Sequence, residues 1–350
     1  MIRTNRRALG ALAAATIGLC LTHNSFGQER ITAATFGGAW GDAIKDCILD
    51  PFTKSTGIAV IPDPGVNLVT LSKLKQQKTA PVIDVAWIGG GVSELADGEG
   101  LLAPIDPQKV RNVANMQSAG VYKNAAGNIF ALSAGFYSFG LVYNTKEIKT
   151  PPTSWKELWN KDYADRVIIP GPGNGNALPF FVFISKMFGG SIADPSPGVK
   201  QLKQLKVASY YDSSGAANNS FATGEAIIGA HDGGAAWAMV DQGLPVAFVV
   251  PKEGVPSTDI RVHLVKNTPR KAAAEKLIDF SVGVPAATCM TNRLYLGSAT
   301  KGVVPNEKAK QRLPWGPNGT FTDLRLNDWN GINANRARLT EILTREVKQH

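Results

Sequence analysis

The stretch TFGGAWGDAIKDCILDPFTKSTGIAV, residues 35–60, decides how the rest of the chain is read. Ile31 to Phe36 is a short β-branched and apolar run, the signature of a strand. Gly37-Gly38 breaks it. From about Gly41 to Phe52, Ile44, Cys47 and Ile48 recur at helical spacing. Gly57 then ends the helix and Gly57 to Ile61 opens a second strand. Strand, helix and strand in so few residues are a βαβ unit, which implies parallel pairing with the helix covering one face.

The same alternation continues outward. Val69 to Gln77 reads as a helix, and Val82 to Ile88 is a continuous apolar run of the kind buried on both faces of a sheet. Ile129 to Leu132 and Gly140 to Tyr143 read as two strands around the aromatic group Phe136-Tyr137-Ser138-Phe139. After Pro151-Pro152, Ser154 and Glu157 have capping-box spacing for a helix carrying Leu158 and Trp159. A strand at Val167 to Ile169, the loop GPGNGN at 171–176 and an apolar helix at about Leu178 to Met187 follow. Strands are expected at Lys206 to Tyr210, Ala226 to Ala230, Pro245 to Val250 and Val262 to Val265. Helices are expected at about Ala272 to Phe280, Pro285 to Asn292 and, on the outside, Leu324 to Val347.

With 350 residues the chain exceeds one ordinary core and suits two domains. The first residues read as an address. Arg3, Arg6 and Arg7 precede the uncharged stretch Ala8 to Leu21, and Ser25-Phe26-Gly27 offers small residues for cleavage before Gln28. The apolar run is shorter than the roughly 20 residues of a spanning helix. Loss of residues 1–27 removes three arginines and no acid, lowering the formal charge from +9 to +6. Basic residues are scattered without interleaved aromatics, which argues against a nucleic-acid partner. Cys47 and Cys289 both sit on apolar helix faces in an exported context, so either a disulfide or two buried thiols is open.

Three segments carry a resemblance. Residues 35–60, SWKELWNKDYADRVIIP at 154–170, and ATGEAIIGAHDGGAAWAMVDQGLPVAFVVPKEG at 222–254 together resemble the extracytoplasmic solute-binding proteins of ABC importers, in the spermidine/putrescine-binding-like group. The resemblance implies an α/β, two-lobed periplasmic binding protein fold of the class II type. Two hinge crossings would lie near Ser133–Phe139 and Val249–Gly254, with a ligand cleft between the lobes. The expected division is a signal peptide at 1–27, lobe 1 at 28–135 and 252–310, lobe 2 at 136–251, and a C-terminal helical segment at 311–350. The implied function is a periplasmic, monomeric carrier that closes over one solute and docks on an inner-membrane permease, without cofactor or metal.

Candidate solute contacts follow from residue chemistry and from that resemblance. Gly38 and Trp40 follow the first strand, where backbone can approach a ligand and an indole can stack on it. Trp87 ends the apolar strand beside Gly89-Gly90-Gly91. Phe136 and Tyr137 stand at the first crossing. Asn174 and Asn176 lie in GPGNGN, which lacks the Lys-Ser/Thr pair of a Walker loop. Asp212 and Ser213 follow a strand and suit either helix capping or solute binding. His231 and Asp232 follow another, and Asp259 and Arg261 lie past the second crossing. Organic anions, phosphonates and amino-acid-like zwitterions are the favoured solutes. Polyamines come next, because Gly and Asn stand at 171–176 where polyamine binders carry acids.

Other classes are weaker. Beyond residue 27 the only histidines are His231, His263 and His350, and neither a Gly-x-Ser-x-Gly elbow nor a His-Glu-x-x-His helix occurs, so no enzyme is expected. Tyr210-Tyr211 resembles the tyrosine pair of ferric-iron carriers but falls on a different strand, and packing is its expected role.

Overall fold

The computed structural model describes residues 29–349; the expected signal peptide and His350 fall outside them. Among the described residues twelve strands are formed: β1 Arg30–Phe36, β2 Ala59–Gly65, β3 Val85–Gly89, β4 Leu102–Ala103, β5 Val121–Lys123, β6 Ile129–Asn144, β7 Val167–Pro170, β8 Val207–Tyr211, β9 Ile228–Asp232, β10 Val246–Val249, β11 Val255–Val265 and β12 Leu324–Leu326. The main path runs β2-β1-β3-β11-β6-β9-β7-β8.

β6 is the pivot of that order. Its first half pairs antiparallel with β11, from Leu132 opposite Val262 to Ser138 opposite Ser257. One residue later it has new partners: Phe139 faces Asp232 of β9, and Leu141 faces Val249 of β10. One 16-residue strand therefore serves two sheets. The expectation of two separate strands is corrected here, because Phe136 to Phe139 continue the ladder and do not loop out. The irregularity lies earlier, at Gly135, whose φ of 148° accompanies a register shift opposite Ile260/Arg261. A Cβ there would sit 2.7 Å from the Leu296 side chain.

In the first sheet β1 and β3 are covered on both faces. Ala33, Val85 and Trp87 join one core, while Ala34, Ala86 and Ile88 join another. Such double cover is what a parallel sheet requires. The helix after β1 runs Gly38–Ile44, makes one π turn at Lys45–Leu49 and continues Asp50–Thr56. The wide turn lies just before Pro51, which has no N–H to donate; Asp50 N–H reaches back to the Lys45 carbonyl. Cys47 and Cys289 form a disulfide tying this run to helix Val284–Leu294.

The second crossing, residues 250–254, is fastened to the start of the second sheet. Ser154 Oγ donates to Glu253 Oε1 at 2.5 Å, Trp155 N–H donates to Glu253 Oε2 at 3.2 Å, and the Trp155 indole N–H donates to the Gly254 carbonyl at 2.8 Å. The expected capping box at Ser154 and Glu157 is thus replaced: the carboxylate comes from the crossing, and the segment forms only a 3-10 turn, Trp155–Trp159. The C-terminal stretch also differs from expectation. It opens as β12, parallel to β11, before turning helical at Trp329. It touches both sheets' surroundings, through Trp329 Nε1 to Thr258 Oγ1 at 3.1 Å and Tyr210 OH to the Val347 carbonyl at 3.3 Å.

Candidate functional site

The carboxyl ends of the parallel strands of both sheets open onto one cavity of about 700 Å³. Ligand sites of open α/β sheets form at such strand ends. Phe36 ends β1, Gly65 ends β2 and Asp232 ends β9, and all three line it. Tyr137, from β6, lines it where the two sheets meet. The volume suits a small solute.

One wall is aromatic. Trp40 packs edge-on against Tyr137 and against Phe36, with ring centroids 6.1 Å apart in each pair. Desolvation, with the charges of Asp232 and Asp259, pushes the Tyr137 phenol well above its ordinary range, so it keeps its proton and can donate. The opposite wall is polar and comes from loops and helix starts. Asn176 N–H donates to Asn174 Oδ1 at 2.8 Å, a local turn that places Asn176 in the lining at the head of helix Ala177–Met187. Ser214 and Asn218 come from helix Ser214–Thr223, whose start is capped by Ser213 Oγ accepting from Ala216 N–H at 3.2 Å.

Asp232 caps helix Gly233–Asp241: its Oδ1 accepts from Ala235 N–H at 2.8 Å and its Oδ2 from Ser214 Oγ at 3.1 Å. Among the described residues no lysine or arginine pairs with it; its one titratable neighbour is the His231 ring, whose Nδ1 lies 3.4 Å from Oδ2. Burial lowers the His231 pKa against the pull of Asp232, so the imidazole is neutral and the Asp232 charge is left for the cavity.

The sequence candidates divide accordingly. Trp40, Tyr137, Asn176 and Asp232 line the cavity, and Gly38, with φ +59°, sits between the lining residues Gly37 and Ala39. Asn174, Ser213 and Asp212 do not line the cavity; Asp212 is exposed and accepts from Gly173 N–H at 3.1 Å. His231 is fully buried behind the wall, with Nε2 2.8 Å from Asn218 Oδ1. Trp87 and Phe136 belong to the core, Phe136 packing on Phe321 at 4.9 Å. Asp259 and Arg261 face away from the cavity, because only the intervening Ile260 points into it. Both are buried in a closed network. Arg261 donates to Asp259 at 2.8 Å and to Glu94 at 2.6 Å, Tyr122 OH donates to Asp259 at 2.8 Å, and the guanidinium lies 3.5 Å from the Tyr122 ring centroid. Burial opposes the Arg261 charge, but Asp259, Tyr122 and Glu94 outweigh it and hold the group protonated.

Several lining residues had no signal in sequence. Asn67 follows β2 and accepts from Gly89 N–H at 2.8 Å. Asp241 and Tyr295 meet at the cavity edge, Tyr295 OH donating to Asp241 at 3.0 Å. Lys308 and Arg312 donate to the same carboxylate at 3.0 and 2.8 Å. Tyr295 ends helix Val284–Leu294 in the left-handed region, φ 57°, where an Asn or Gly would have been the cue. Tyr210 and Tyr211 are spent on packing; Tyr211 OH donates to the Ala230 carbonyl at 2.6 Å. No cluster of three or more His, Cys, Asp or Glu suited to a metal occurs among the described residues.

With this arrangement in view, the comparisons are decisive. The family model for bacterial extracellular solute-binding proteins matches residues 81–321, more than half of the chain. The chain belongs to that family. It is 27% identical over 284 residues to spermidine/putrescine-binding periplasmic protein 1 of Haemophilus influenzae, covering 79% of this chain and 76% of the relative. A Salmonella typhimurium periplasmic protein with a provisional 2-aminoethylphosphonate-binding assignment is 23% identical over 274 residues, covering 74% and 75%. The fold matches an ABC transporter substrate-binding protein from Bradyrhizobium japonicum with a TM-score of 0.77 at 19% identity, over 91% of this chain and 99% of that one. The chain thus has the two-lobed fold of the solute-binding proteins of ABC transporters and is a solute-binding component of that kind. These relatives and neighbours are binding proteins, and the relatives are periplasmic. No helix among the described residues is long and apolar enough to cross a membrane.

Proposed function

We propose that this chain is the periplasmic solute-binding component of an ABC importer and that its solute is a small zwitterion carrying an ammonium group. The observation that carries this reading is Asp232, a carboxylate in the cavity wall that no lysine or arginine among the described residues pairs with. The aromatic pair Trp40 and Tyr137 lines the same cavity and favours a cation through its ring faces. The solutes named for the two relatives, spermidine or putrescine and 2-aminoethylphosphonate, share a primary ammonium.

A polyamine would need a second free carboxylate. The other acid in the lining, Asp241, is already neutralised by Lys308 and Arg312, and Arg293 on the rim is itself paired with Asp46. Asn67, Asn176 and Asn218 supply polar groups suited to an acid oxygen. The zwitterion is therefore preferred to the diamine.

The lobes divide in this reading at 28–135 with 252–310, and at 136–251, and the partner switch of β6 after Ser138 supports a hinge there. The segment 311–349 rides on both. Solute contacts made with both lobes stabilise the closed arrangement, by no more than the solute's preference for closed over open. No bond is made or broken. The closed monomer then docks on its permease.

Thermal shift and calorimetric titration with 2-aminoethylphosphonate, 4-aminobutanoate, putrescine and acetate test the reading. At 100 times its Kd a true ligand adds about 2.7 kcal/mol to stability. The acid-bearing amines are expected to bind, and Asp232→Asn to weaken them. Equal binding of acetate, or affinity for putrescine alone, would overturn the zwitterion.

A further inference from the structure

A second cavity lies apart from the solute cavity. Its volume is about 580 Å³, and it runs between helix Ala177–Met187 and the C-terminal segment from Leu324 to Ile332. The two cavities share no lining residue. The passage between them, past Tyr137, Asn176 and Thr258, is too tight for a water molecule. Pro179, Val182, Phe183 and Lys186 recur at helical spacing and turn one helix face to the second cavity. Phe183 packs edge-on against Trp155 at 5.6 Å, and Trp155 is itself tied to the second crossing, so this floor is preformed. Leu326 of β12, 45% exposed, extends an apolar bed that the chain leaves open.

The four charged groups of its lining differ in their partners. Glu253 accepts from Ser154 and Trp155, and Asp328 Oδ1 accepts from Gly331 N–H at 2.9 Å. Both carboxylates are thus turned toward donors of the chain itself. Lys186 and Arg325 are exposed, and among the described residues neither forms an ion pair. The hydrogen bond that Arg325 makes runs from Nη1 to the Thr322 carbonyl, at 3.0 Å. Its stem lies flat on Gly254 at the second crossing, where a Cβ would come 3.0 Å from Cγ. An anion entering here meets two unpaired cations beside an apolar bed. A cation meets only carboxylates that already have donors.

We propose that this cavity is a second binding site and that it takes an amphiphilic anion, a medium-chain carboxylate. The apolar body lies on Val182, Phe183 and Leu326, and the acid group meets Lys186 and Arg325. Burial of the body supplies the affinity, and the two cations select the sign of the head group. Lys186 comes from the helix that begins beside the solute cavity, and Arg325 from the strand that pairs with β11, so the occupant touches two separate parts of the chain. The site goes beyond solute capture and does not depend on which solute the first cavity holds.

The experiment titrates the full mature chain calorimetrically, at low salt, with octanoate, octylammonium and acetate. Octanoate is expected to bind. Octylammonium has the same body with the opposite charge, and acetate has the head without the body; both should bind about tenfold more weakly or worse. Lys186→Gln and Arg325→Gln should each weaken octanoate about three- to fivefold, the worth of an exposed ion pair. Leu326→Ser should weaken it by a similar factor through lost apolar contact, about threefold. All three side chains are exposed, so the variants should stay folded, and circular dichroism checks that they do. Octanoate affinity should be unchanged in Asp232→Asn and with 2-aminoethylphosphonate in excess. Failure of octanoate to bind would overturn the site. Equal binding of octylammonium would remove the charge selection, and equal binding of acetate would leave an adventitious ion only. Unchanged octanoate affinity in the folded Lys186→Gln/Arg325→Gln double variant would place the anion elsewhere. Displacement of octanoate by 2-aminoethylphosphonate would place it in the solute cavity, and the proposal would fall while the reading of that cavity stands.

Discussion

Asp232 and Asp259 are the same residue type, each near a crossing between lobes, and both raise the Tyr137 phenol between them. Their surroundings differ. Asp259 is fully buried, and Arg261 and Tyr122 both donate to it. Asp232 is half-buried, caps a helix, and keeps a charge that no arginine or lysine among the described residues meets. The first is structure and the second is available for recognition. Charge alone does not tell them apart; what does is whether the structure already supplies the counter-ion.

The largest effect should come from the closed network. Arg261→Ala would leave the buried Asp259 and the half-buried Glu94 without their cation, and breaking such a buried pair from one side costs about 3–5 kcal/mol. Urea denaturation should show that loss, while the fraction still folded binds 2-aminoethylphosphonate as the wild type does. A stability change under about 1 kcal/mol would erase the contrast. Asp232→Asn is the mirror test. Asn caps helices about as well as Asp, so stability should move by less than about 1 kcal/mol. Affinity for an ammonium-bearing solute should fall by about 30-fold or more, the cost of removing a desolvated charge partner. Calorimetry on the variant reads it, and an unchanged Kd would move the ammonium site elsewhere.

The two described histidines extend the comparison to pH. His263 sits beside the closed network, with Nε2 2.8 Å from Ser93 Oγ and Nδ1 2.9 Å from the Ala86 carbonyl, and burial pushes it down to about 3. Burial also lowers His231. Both stay neutral in the folded chain while the unfolded chain protonates near pH 6.5. Below that value the unfolded state binds more protons, so stability falls as pH drops. His263 alone contributes a slope of about 1.4 kcal/mol per pH unit between roughly pH 6 and pH 3. His263→Gln should flatten the curve by that amount throughout the window. His231→Gln should flatten it over a shorter one, because Asp232 resists the shift. Denaturation at stepped pH measures both, and a wild-type curve flat from pH 6.5 to 4 would refute the buried neutral forms.

Much of the architecture was legible because its signals are local. The apolar runs of β1 and β3 and the helix at Ala177–Met187 carry their periodicity in consecutive residues. Trp40, Tyr137, Asn176 and Asp232 were legible because strand ends and glycine-rich loops mark where a cleft can form. What sequence could not give was parity and distance. Whether Ile260 or its neighbours face the cavity depends on the register of β11 against β6, which shifts at the Gly135 bulge. Trp87 read as a strand-end aromatic, yet every residue of β3 is buried, so its position on the strand said nothing of the cleft. Asn67, Asn218, Asp241 and Tyr295 come together only through the meeting of the two lobes. Glu253 reaching Ser154 across 99 residues is the same kind of fact.

The smallest expected effect belongs to Asp241, which sharpens the comparison because it lies between the two extremes. It lines the cavity as Asp232 does, but like Asp259 it is already paired. Tyr295, Lys308 and Arg312 converge on it from the far side of the cleft, and the Arg312 guanidinium also lies 4.8 Å from the Trp237 ring centroid. Its carboxylate is 37% exposed, so salt screens these contacts strongly. Asp241→Asn should therefore change solute affinity by only about threefold at low salt. The informative readout is the salt dependence. If the contacts form only when the lobes approach, they favour the closed arrangement, and wild-type affinity should fall between 50 and 500 mM salt more steeply than that of Asp241→Asn. Parallel salt curves would mean that the contacts persist in the open arrangement as well, and Asp241 would then join Asp259 as a purely structural acid.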